Sequence, residues 1–75
     1  MVIKYTTAER MIRPFLNRIV VGEGKLVKVL NLHQGNLVRL KHPNRDVSLT
    51  TLDNFANNYI LANKQQVREY KDSQS

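Results

Sequence analysis

Residues 39–59 read RLKHPNRDVSLTTLDNFANNY. A basic strand end runs into the polar turn His42-Pro43-Asn44-Arg45-Asp46, where Pro43 has no amide for a ladder and Asn44 favours a bend. Val47-Ser48-Leu49 returns to extended structure, and Leu52, Phe55 and Tyr59 then fall at helical spacing. A hairpin is closed here and a short apolar-faced helix follows. That order fits a very small β-rich barrel better than an enzyme. Thr50 or Thr51 offers the helix cap, and Asp53 then lies in the first turn, where the helix dipole favours a carboxylate. Leu52, Phe55 and Ala56 form the expected buried stripe, and Asn57-Asn58 ends it. Tyr59-Ile60-Leu61-Ala62 is a last short strand, able to pair with an open sheet edge.

Upstream, residues 37–41 and 25–30 both alternate as strands. Val27, Val29, Val38 and Leu40 point inward, while Lys28, Arg39 and Lys41 share the opposite face. NLHQGN, residues 31–36, is the turn between them, with Gly35 and Asn36 able to take positive φ. Gly22-Glu23-Gly24 is the preceding turn. It lacks the third glycine, the lysine–threonine pair and the following helix of a phosphate loop.

Thr6-Thr7-Ala8-Glu9 offers a capping box, with Ala8, Met11, Ile12, Phe15, Leu16 and Ile19 behind it at helical spacing. Pro14 would break such a helix, so it ends at Ile12 or Arg13 and residues 15–21 become extended; a kinked helix to Arg18 is the alternative. Met1-Val2-Ile3-Lys4-Tyr5 reads as a short edge strand or an irregular start. Residues 1–62 make one compact domain. Residues 63–75 are a polar C-terminal helix or flexible tail, with Val67 and Tyr70 the only sizeable apolar groups.

Seventy-five residues allow one thin core. The absence of cysteine excludes disulfides and thiolate zinc sites. No apolar run is long enough to span a bilayer, and MVIKYTTAER lacks the pattern of a signal peptide, so a cytoplasmic location without membrane contact is expected. Twelve basic against six acidic residues give a net charge of +6, which attracts nucleic acid or an acidic partner.

None of Glu9, Glu23, Asp46, Asp53, Glu69 and Asp72 pairs with another as acid–base chemistry requires, and a non-enzymatic role follows. His33 and His42, even with Asp46, do not fill a zinc shell, so no metal or cofactor is expected. The candidate site is the basic set Lys25, Lys28, Arg39, Lys41 and Arg45, whose like charges a nucleic-acid phosphate would satisfy. Arg10, Arg13 and Arg18 form a second basic group. Phe15, Phe55, Tyr5 and Tyr59 read as core. The partners this implies are DNA or RNA, another protein, or a second copy in a homodimer.

Residues 24–61 carry a Gly-x-x-Val-x-Val strand (Gly24, Val27, Val29), a Val-x-Leu strand (Val38, Leu40) and the ending Val47-Ser48-Leu49-x-x-Leu52-x-x-Phe55-x-x-x-Tyr59. This resembles the small SH3-like barrel proteins of bacteria, prophages and mobile elements. The resemblance covers about half the chain and implies binding of nucleic acid or peptides. The expected fold is α+β: a small curved antiparallel sheet or SH3-like barrel, with an N-terminal helix and a short helical turn before the last strand. A rival fold is a three-helix DNA-binding module with a β wing, using residues 8–16 and 51–59 as helices. A rival function is a protein–protein or structural assembly component of a prophage or mobile element, acting through an exposed edge strand.

Overall fold

A computed structural model describes residues 7–74. The chain runs through α1 (Thr7–Ile12), a 3₁₀ turn (Arg13–Phe15), β1 (Ile19–Gly22), β2 (Lys25–His33), β3 (Leu37–Lys41), β4 (Val47–Thr51), α2 (Leu52–Asn58), β5 (Tyr59–Leu61) and α3 (Lys64–Gln74). The expected α+β architecture is present, with strand order β4-β3-β2-β1-β5 and every pairing antiparallel. The edges β4 and β5 do not pair with each other, so the sheet is not closed into a barrel. It is curved. Helix α2 touches both edge strands, although a helix of seven residues is only about 10 Å long and five flat strands span about 19 Å. With residues 25–33 and 37–41 both in strands, the rival three-helix module is ruled out.

Pro14 acts as its chemistry requires. Helix α1 stops at Ile12, and Pro14 sits in the first turn of the 3₁₀ segment, where its missing amide costs nothing. Leu16 and Arg18 donate backbone bonds to Arg13 and Phe15 at 3.3 and 3.0 Å, and Asn17 turns through φ 59°. Extended structure therefore begins at Ile19 rather than Phe15, and the kinked-helix alternative does not form. The expected helical stripe is also broken. Ile12 is buried, Met11 and Leu16 are exposed, and Ile19 belongs to a strand. A 3₁₀ turn advances three residues per turn, so the stripe set by a 3.6 period loses its phase. The expected strand at residues 1–5, the Thr6 cap and the core role of Tyr5 lie outside the described residues.

The β1–β2 turn takes positive φ at Glu23 (53°) and Gly24 (74°), the twist that suits a tight hairpin. Gly22 is required for another reason. A Cβ there would overlap the Asn58 carbonyl and the Tyr59 ring, because Gly22 lies opposite Tyr59 in the sheet. Strand β2 runs to His33, three residues past the expected end, and a bulge between Val29 and Asn31 permits it. Val29 faces Leu40 while Asn31 faces Arg39, so Leu30 is the extra residue. The inward set thus shifts from Val27 and Val29 to Leu32, which packs on the core. Positive φ in the next turn falls on Gln34 (52°) and Gly35 (87°), not on Asn36.

Ile12, Val20, Val27, Val29, Val38, Leu40, Phe55 and Tyr59 form the core, with Phe15, Leu32 and Leu52 against it. Phe55 meets Phe15 edge-on at 5.3 Å and stacks on Tyr59 at 5.5 Å. Thr51 caps α2, accepting a bond from the Asn54 amide at 3.2 Å. Phe55 is the buried residue of this helix; Ala56, expected in the stripe, is exposed.

The opposite sheet face carries α3. A reciprocal capping box starts it: the Gln66 amide donates to the Asn63 side chain at 2.8 Å, and the Asn63 amide to the Gln66 side chain at 3.0 Å. Tyr70 is 1% exposed and lies outside the main core cluster. Its hydroxyl donates to the Lys41 carbonyl at 2.9 Å. With Ile19 it forms a second small core between helix and sheet. No helix among the described residues is long and apolar enough to cross a membrane.

Candidate nucleic-acid interface

The register settles where each basic side chain lies. Lys28 is directly opposite Lys41, on the face away from the main core. Arg39 shares that face but lies opposite Asn31 on one side and Leu49 on the other, two residues along β3 from Lys41. All three are half-buried. Lys25 does not join them. It shares the inward phase of Val27 and Val29, and it lies at the strand's start beside the β3–β4 turn, in a hollow also lined by Asp46. Arg45 is exposed within that turn at φ 77°, its amide donating to the His42 carbonyl at 2.9 Å. The five expected residues thus divide into a row of three on the sheet and two at one end.

Helix α3 changes the meaning of the row. Docking of Tyr70 opens a cleft of about 450 Å³ between α3 and the β1–β2 strands. Arg18, Lys28 and Lys71 line it, together with Asn17 and Gln74, and among the described residues no aspartate or glutamate does. Three cations from three elements therefore share one concave surface, and Lys41 adjoins it across the strand pair. Like charges this close are unfavourable without a counter-charge, and a concave low-dielectric wall strengthens their combined field.

The second basic group is split by the fold. Arg18 enters the α3 cleft, Arg13 lines a separate groove between α1 and the β2–β3 turn, and Arg10 is exposed on α1. Sequence reading missed Lys71 because residues 63–75 carried no commitment to a face. The signal was Asn63-x-x-Gln66 as a capping box, with Val67, Tyr70, Lys71 and Gln74 at helical spacing behind it.

Several other polar groups have structural partners. His42 shares a bond with Ser48 at 2.9 Å, and Asp46 accepts from the Asn44 side chain at 3.0 Å. Glu23 accepts from Asn54 at 3.0 Å and from the Tyr59 hydroxyl. Burial, then the Glu23 charge, then that bond push the Tyr59 hydroxyl above its ordinary pKa; burial does the same to Tyr70. Comparison of the chain with protein-family models, curated proteins and solved structures finds no match.

Proposed function

We propose that this is a non-enzymatic protein that binds the phosphate backbone of nucleic acid without strong sequence preference. The observation that carries it is the cleft in which Arg18, Lys28 and Lys71 converge with no aspartate or glutamate among the described residues of its lining. Lys41 and Arg39 extend the same face toward β4, giving a basic track across the sheet, and Arg45 stands at its end. Lysines and arginines so arranged contact phosphates and set register, while base reading needs groups this face lacks. Among the described residues no aromatic ring is exposed along the track for stacking bases, so a duplex backbone is favoured over a single strand. The short helix before a closing strand that pairs with β1 also supports the resemblance to small SH3-like barrel proteins.

A titration of the labelled protein with two unrelated short duplexes, followed by amide chemical shifts, tests the reading. Shifts should concentrate at residues 17–19, 28, 39–41 and 70–74 and be alike for both duplexes. Shifts confined to the α1 groove, or no shifts at low salt, would exclude it.

A further inference from the structure

Among the described residues nothing pairs with the outer edge of β4, and that edge is unlike a defended one. Natural edge strands are blunted by lysine, proline, a bulge or a covering element. Val47-Ser48-Leu49-Thr50-Thr51 has none of the first three, and its pairing with β3 is regular throughout. The other edge, β5, is only three residues long and leads directly into the segment that starts α3.

The phase of the ladder shows what β4 presents. The His42 amide donates to the Asp46 carbonyl at 2.7 Å, and the Leu52 amide to the Asn36 carbonyl at 3.1 Å, at the two ends of the β3–β4 pairing. Bonded and non-bonded pairs alternate along an antiparallel ladder. Ser48 and Thr50 therefore bond β3, and the amides of Val47, Leu49 and Thr51 point to the open edge. The side chains of the same three residues are exposed, Val47 at 47% and Leu49 at 50%.

We infer that β4 pairs antiparallel with β4 of a second copy, about a two-fold axis through Leu49. In that register Leu49 faces Leu49 of the second copy, and Val47 faces Thr51. The outward-pointing amides and carbonyls of the two edges then meet in phase. Charge favours this occupant. Each copy carries +6 and repels the other over most of its surface, but residues 47–51 are uncharged. Antiparallel pairing also sets the β3–β4 turn of each copy, with exposed Arg45, beside the start of α2 of the second copy, with exposed Asp53, an attraction at both ends of the paired edges. A two-fold pairing also closes on itself, so assembly stops at two.

Sedimentation equilibrium from about 1 to about 500 µM tests the inference by mass action. The wild type should pass from monomer toward twice the monomer mass and no further. Leu49→Lys and Leu49→Pro should stay monomeric with unchanged circular dichroism, since the Leu49 amide bonds nothing within the sheet. Arg45→Asp should weaken the dimer about fivefold, and adding Asp53→Arg should restore it. Because both charged residues are exposed, this pair decides the matter even if a Leu49 variant fails to fold. A wild type monomeric at every concentration, a mass growing past two, or an Arg45→Asp defect that Asp53→Arg does not repair would overturn it.

Discussion

Gly22 and Tyr70 are the residues on which most depends. Gly22→Ala forces a methyl group into the Asn58 backbone and the Tyr59 ring, neither of which can move without disturbing α2 or the Phe55 stack. A loss of about 3 kcal/mol is expected in urea unfolding, at the upper end for overpacking. Tyr70→Phe removes the only donor the Lys41 carbonyl gains from α3, and should cost about 1 kcal/mol; Tyr70→Ala empties the second core and should cost about 3–5 kcal/mol. The raised tyrosine pKa values fix a pH response. Both hydroxyls ionise in the unfolded chain near the ordinary tyrosine value of 10.0 and at higher pH in the fold. Above pH 10 the unfolded state thus holds fewer protons, so their contribution is complete below that pH and is lost as pH rises through the folded values. The urea midpoint should fall above pH 10, and the fall should be smaller in Tyr70→Phe, a comparison in which the lysine titrations cancel.

Individual elements differ in how far the sequence reveals them. Alternation at residues 25–29 and 37–41 places the inward valines and leucine because burial on one face imposes a period of two. Pro14 announces the end of α1 because a ring without an amide cannot continue it. The Leu30 bulge is not legible. It depends on how β2 sits against β3, and it puts Lys41, in place of His42, opposite Lys28. The segment 63–75 reads from sequence as either a helix or a tail because the buried residue of α3, Tyr70, meets backbone of β3, a surface remote in sequence. Its capping box was readable, and its role is testable: Asn63→Ala should cost about 1 kcal/mol and lower the hydrogen-exchange protection of the Val67 amide, which bonds the Asn63 carbonyl at 2.9 Å. Equal protection in both proteins would show that docking, not the cap, holds the helix start.

For the whole molecule, a curved sheet with one core on each face brings Arg18, Lys28 and Lys71 together, although none is near another in sequence. Half the site was therefore legible. Strand alternation gave the sheet-borne cations, and net charge suggested the partner proposed for them, but the cleft exists only once α3 has docked. The proposed activity rests on that cleft. Its most direct measurement is fluorescence anisotropy with a labelled duplex over a series of salt concentrations, comparing wild type with Arg18→Gln, Lys28→Gln and Lys71→Gln combined. Wild type should bind in the range of about 1–100 µM at low salt, with log affinity falling linearly against log salt. The triple variant should keep its circular dichroism, bind unrelated duplexes more weakly by a similar factor, and lose about 0.9 from the slope for each phosphate contact removed. Wild-type binding weaker than about 100 µM at low salt, or a triple variant with unchanged affinity and slope, would contradict the cleft as a phosphate site.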